Sequence, residues 1–151
     1  MSIAAKLESL GVSLPDAPAP AANYVPFVRV GNIVYVSGQI SKDDALITGK
    51  LGADLDVAAG AAAARVCAIN LLAQVKAACG GDIDKLVRAI KLTGFVNSTA
   101  DFTDQPQVIN GASDFLVEAM GDKGRHARSA VSAGALPFGV AVEIEAIFEL
   151  A

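Results

Sequence analysis

Arg128 and Glu143 are the two side chains whose types and surroundings suggest chemistry. Arg128 stands among small residues, Ala127, Ser129 and Ala130, in a segment with strand character, and a second such segment carrying Glu143 and Glu145 follows it. A guanidinium presents a planar fork of donors that matches a carboxylate in two parallel hydrogen bonds. A glutamate beside a reacting carbon can move a proton to or from water. Together they would suit a small anionic substrate in a proton-transfer reaction. The alternative is an ion pair between neighbouring strands, worth about 0–1 kcal/mol when exposed. Spacing leaves both readings open, and the tiny neighbours of Arg128 lean towards the first because they leave room for a ligand.

Other positions qualify less directly. YVSGQI, residues 35–40, places Gly38 inside an otherwise good strand, which marks a bulge or a site where a ligand approaches the backbone. Tyr24, after a proline-rich connector, reads as a capping aromatic or a pocket wall, and Asn110 as an exposed helix residue or one turned towards a pocket. The single histidine, His126, reads as a surface residue. Cys67 and Cys79 fall on one expected helix, about 18 Å apart at 1.5 Å per residue, too far for a disulfide. With one histidine and no Cys-x-x-Cys, spacing assembles no transition-metal site.

These groups need elements to hold them. Ile3, Leu7 and Leu10 share a face and precede Gly11, so residues 2–10 read as a short amphipathic helix. LPDAPAPAANY, with prolines at 15, 18 and 20, reads as an extended connector. Gly31-Asn32 between two β-branched runs predicts a hairpin, with strands at about 26–30 and 33–39, then a loop and a possible short strand near 46–48. Val66, Ile69, Leu72 and Val75 recur at helical spacing, with Asp54 or Asp56 to cap the start and Gly80-Gly81 to end the helix. A strand follows at 89–96, then a helix capped by Asp104 with Pro106 in its first turn, ending near Gly121. Strands at about 127–133 and 140–149 close the chain. Alternation puts Val142, Ile144 and Phe148 on one face of the last strand and Glu143, Glu145 and Glu149 on the other.

That order predicts an α+β fold, a mixed sheet with the two main helices on one face and another copy of the chain on the other. At 151 residues, a single core and a single domain are expected, with residues 1–23 as an extension and connector and 24–151 as the core. The net charge is −4 with no basic run, which argues against a polyanion partner. No basic leader and no apolar run of about 18 residues are apparent, so a cytoplasmic protein without a membrane partner is expected.

Asn23-Tyr24-Val25 ahead of the hairpin, VYVSGQI, the pair Ile109-Asn110, ARS at 127–129 and VEIEAI at 142–147 together resemble the RidA family, also called YjgF or L-PSP, from about Tyr24 to Leu150. The most specific part is ARS followed, 15 residues after its arginine, by the first glutamate of EIEA. The resemblance implies a chorismate-mutase-like fold assembled as a homotrimer with a pocket in each cleft between subunits. It implies hydrolysis of 2-imino and 2-enamino acids, such as 2-iminopropanoate or 2-aminoacrylate, to 2-keto acids and ammonia, with no metal or organic cofactor. By position, Arg128 would bind the substrate carboxylate, Glu143 would position or activate water, and Tyr24, Ser37, Gly38, Asn110 and Ala130 would line the pocket. The chain departs from the family at His126, where proline is common, and at Ala130, where cysteine is common. A non-catalytic trimer binding a small carboxylate is the alternative. RNA cleavage, an older label in the family, is disfavoured by the net charge.

Overall fold

The computed structural model describes residues 1–17 and 22–151. Pro18 and Pro20, on which the extended reading of the connector partly rests, lie outside the described residues. The elements are α1 (Ile3–Ser9), β1 (Phe27–Val30), β2 (Ile33–Ile40), α2 (Val57–Ala78), β3 (Leu86–Asn97), α3 (Gln105–Met120), β4 (Ala127–Ala133) and β5 (Val142–Leu150). The five strands form one sheet in the order β1-β2-β5-β3-β4. All neighbours are antiparallel except β3 and β4. A parallel pair needs a crossover, and α3 supplies it.

The hairpin forms where it was expected, with Gly31 at φ 59° in the two-residue turn, a conformation open to glycine at no steric cost. Helix α2 starts at Asp56, whose side chain accepts a hydrogen bond from the Ala59 amide at 2.8 Å, and ends before Gly80 and Gly81, both at positive φ. Asp104 stands at the start of α3, but its side chain makes no capping hydrogen bond, so that expectation was wrong in detail. β3 is longer than its β-branched centre suggested, because Leu86 and Arg88 pair with Leu150 and Glu149 of β5 through an irregular register. Residues 46–48 contribute single bridges, Leu46 to Lys42 and Thr48 to Val140, rather than a strand.

Both long helices lie on one face of the sheet. Leu71, Leu72, Ile109, Phe115 and Leu116 are fully buried there with Leu92, Ile144 and Phe148 from the strands. Each such side chain contributes about 1.5–3 kcal/mol of burial. By length and composition alone α2 is apolar enough to cross a membrane, which corrects the expectation of no long apolar run; here it is the core helix, with half of its apolar window buried inside the protein. Small residues set the spacing. Gly111 of α3 runs so close to the Ala61 carbonyl of α2 that no side chain fits, and Ile109 presses into the space left by Gly94 of β3. α3 is thereby fixed low against β3 and β4.

α1 is capped by Ser2 and inserts Leu7 into the core, while the Ala4 amide donates to Asp84 Oδ1 at 3.0 Å. It packs near Met120, at the end of α3 remote from Arg128.

Candidate active site

Glu143 and Arg128 do not meet within one chain. β3 lies between β4 and β5, and pairing register assigns the faces. Arg128 is level with Leu92, which in turn pairs with Ala146; both of these are buried under the helices. Glu143 is level with Phe95 and points from the opposite, open face, in register with Val131, which is exposed. The reading that the two could share a surface is corrected on both counts, strand adjacency and side. The inter-strand ion pair goes with it. Among the described residues the ion pairs are Arg65–Glu118 and Arg125–Asp122.

The Glu143 half is built by a bulge. Pairing of β2 with β5 shifts between Val36 and Gln39, leaving Ser37 and Gly38 out of the ladder. Glu143 lies directly over Gly38, where any Cβ would collide with its carboxylate. The bulge reading of this glycine holds, and the group that approaches it within the chain is the Glu143 side chain. Ser37 ties down the segment before β1: its amide donates to the Pro26 carbonyl and its hydroxyl to the Val25 carbonyl, each at 2.9 Å. That places Tyr24 in the wall of a cleft of about 450 Å³ with Ser37, Gly38, Gln74, Phe138 and Glu143. Phe138 has φ 58°, uncommon for an aromatic residue, and stands 76% exposed in the lining. Gln74 of α2 is fully buried, and its Oε1 has no hydrogen-bond partner, which leaves an unspent acceptor beside the cleft.

Half-burial pushes the Glu143 carboxyl above its ordinary range, and Glu145 on the same face adds to the effect. A carboxyl so placed takes up a proton more readily than one in water, which suits a group that must both accept and return protons. Among the described residues no cationic side chain lines this cleft.

The Arg128 half is built by α3. Pro106, Asn110 and Ser113 recur at intervals of four and three, so they share one helical face. Nη1 of Arg128 donates to Asn110 Oδ1 at 2.8 Å and to Ser113 Oγ at 3.1 Å, and Nη2 donates to the Pro106 carbonyl at 3.4 Å. Every acceptor is neutral. With both Nη1 hydrogens engaged, the free edge of the guanidinium is the one formed by Nε and Nη2, which fits the two oxygens of a carboxylate. Asn110, Ser113, His126 and Arg128 line a depression of about 250 Å³.

The anticipated site residues thus fall into two groups, Tyr24, Ser37, Gly38 and Glu143 in one cleft, Asn110 and Arg128 in the other. Ala130 lines neither and packs, partly buried, against the core, so its expected place in the pocket wall is not met in the chain. Sequence reasoning missed Gln74, Ser113 and His126. The 106/110/113 spacing on α3 was the available signal for Ser113. His126, taken for a surface residue, is half-buried, with its ring nitrogens 2.9 Å from Ser113 Oγ and 2.6 Å from the Gly124 carbonyl. The cysteines are both buried, and burial raises each thiol, so neither is a ready thiolate nucleophile.

The chain is similar to known proteins over nearly its whole length. Residues 4–149 match the family model described as "YjgF/chorismate_mutase-like, putative endoribonuclease". The chain is 50% identical to Protein TCP17 of Trypanosoma cruzi, over 98% of this chain and 94% of that one. It is 30% identical to a 2-iminobutanoate/2-iminopropanoate deaminase of Dermatophagoides farinae, over 90% and 92% of the two chains. The crystal structure of Atu1372 from Agrobacterium tumefaciens, a protein of unknown function, superposes with a TM-score of 0.92 at 50% identity, over 99% of this chain and 92% of that one. On the family model, the identities and the shared α+β architecture, the chain belongs to the YjgF/RidA family.

Proposed function

We propose that the protein hydrolyses small 2-imino and 2-enamino acids to 2-oxo acids and ammonia. The observation that carries this reading is a half-buried arginine held by three neutral acceptors with its Nε edge free. A cation fixed in that way lacks only its anion, and a carboxylate matches it. The resemblance to a named imine deaminase supports the same substrate class.

The chemistry asks little of the protein. A protonated imine carbon is already electrophilic, so orientation, a water and a proton relay suffice. Glu143 takes a proton as water adds to the iminium carbon, then returns it to nitrogen. The C–N bond breaks as the carbinol hydroxyl gives its proton through Glu143 to the departing ammonia, which leaves as ammonium, and the carbonyl forms. Iminium acid plus water gives oxo acid plus ammonium, with atoms and charge balanced.

Because Arg128 and Glu143 occupy opposite faces, a complete site takes Glu143 from one copy and Arg128 from another. The family resemblance implies a homotrimer with three such clefts as the assembly. Val28, Val30, Tyr35 and Val131 stand exposed and supply apolar surface for contact between copies. Among the described residues none before Tyr24 lines either cleft, and residues 1–23 act as an extension to the catalytic core, residues 24–151.

The test generates 2-aminoacrylate in place with a pyridoxal-phosphate dehydratase and follows imine loss by absorbance, with the protein's mass in solution measured alongside. Accelerated loss by a trimeric species is expected. No acceleration removes the deaminase reading, and binding of a 2-oxo acid without turnover would assign a non-catalytic role instead.

A further inference from the structure

His126 closes a chain of hydrogen bonds that begins at the anion site. The Gly124 carbonyl can only accept, so the imidazole nitrogen 2.6 Å from it, Nδ1, carries a hydrogen. Arg128 can only donate, so Ser113 Oγ accepts from its Nη1 at 3.1 Å and keeps its own hydrogen for His126 Nε2, 2.9 Å away. The donors run one way: Arg128 to Ser113 to His126 to Gly124. Gly124 is itself fixed, since its backbone lies so close to the Leu116 carbonyl of α3 that a side chain could not be inserted.

We propose that His126 is a positioning residue of the anion site, holding Arg128 through Ser113, and that an anion on Arg128 and a proton on His126 reinforce each other's binding. This rests on the carboxylate-anchor reading above. Protonation forces Nε2 to donate to Ser113 Oγ, so two cations then share one hydroxyl oxygen. A bound carboxylate relieves that repulsion, and the coupling is reciprocal.

The charged surroundings agree in sign. Arg128 and Arg125 from the β4 segment and Asp114 from α3 line the same depression. Arg88 of β3 donates to the Arg125 carbonyl at 3.0 Å, and Lys91 of β3 is level with Ala127. Arg125 is paired with Asp122, and Lys123 lies in the same turn. Apart from Asp114 and Asp122 the setting is cationic. In the free protein, burial and Arg128 hold His126 below its ordinary titration range, with the Gly124 hydrogen bond opposing them.

The chain contains one histidine, so ring 15N spectra report on this residue alone. With 2-oxobutanoate as the probe, the Nδ1-protonated tautomer is expected at pH 7.5, and saturation should move the ring titration upward. Affinity measured by calorimetry should rise about three- to tenfold from pH 7.5 to pH 5. Glu143 also titrates above its ordinary range and would weaken anion binding as it ionises, so the comparison is with His126→Gln, which retains Glu143. The glutamine carbonyl can still accept from Ser113, so His126→Gln should bind as well as the wild type at pH 7.5 and lack the extra gain at pH 5. His126→Ala should bind about three- to tenfold more weakly at pH 7.5. Identical pH profiles for wild type and His126→Gln, or a ring signal unmoved by saturating probe, would overturn the coupling while leaving the anchor intact. Absence of binding to the wild type at every pH would overturn the anchor reading and this inference with it.

Discussion

Arg128→Ala is expected to lower kcat/KM for 2-iminobutanoate by about 10²–10³-fold, since truncating one partner of a desolvated charge pair costs about 2–5 kcal/mol. The guanidinium supplies both the charge and the geometry that aligns the substrate for attack, so KM should rise and kcat fall together. Arg128→Lys should recover little. An ammonium restores the charge, but it cannot satisfy Asn110, Ser113 and the Pro106 carbonyl while offering a carboxylate two parallel donors. Folding should be nearly unaffected, because the lost hydrogen bonds are offset by removal of a half-buried cation. Steady-state kinetics and thermal unfolding of the two variants check this, and a kcat/KM within about threefold of the wild type for Arg128→Ala would sink the anchor assignment.

Glu143→Gln should lower kcat by about 10²–10⁴-fold with little change in KM, as expected for a proton-transfer group that contributes little to substrate binding. It should also stabilise the protein at alkaline pH. The sign follows from the raised carboxyl. The folded protein holds that proton more tightly than the unfolded chain does, so the associated stability is complete below the ordinary glutamate range and is lost as pH rises through the folded value. Glutamine never ionises and escapes that loss. Tm should therefore be higher for Glu143→Gln at pH 8, and the difference should close near pH 4. A variant that loses activity and also unfolds at lower temperature at pH 8 would point to a structural role instead.

What the sequence disclosed was local. Gly31-Asn32 marked the hairpin, Asp56 and Gly80 the ends of α2, and the alternation from Val142 to Phe148 the buried face of β5. Gly38 disclosed a bulge because glycine inside a strand has few other uses. Strand order was not legible, since the insertion of β3 between β4 and β5 is set by the packing of α3 and by distant pairings. For that reason Arg128 and Glu143 read as possible neighbours on one surface when they are back to back. The Ser113–His126 link was hidden for a related cause: its two ends belong to a helix and to the turn after it, and only the fold brings them within 2.9 Å. The unpartnered Gln74 oxygen is invisible to any pattern, because a buried glutamine in a helix usually finds a partner.

The back-to-back placement of Arg128 and Glu143 also bears on what a defective copy does to its partners. In the proposed trimer each chain serves two clefts, lending its guanidinium to one and its carboxylate to the other. Loss of Arg128 in one chain silences one cleft and spares that chain's glutamate for a neighbour. Two separately inactive proteins, Arg128→Ala and Glu143→Gln, unfolded and reassembled together in equal amounts, should regain about a quarter of wild-type turnover, because random assembly leaves about one cleft in four with both groups intact.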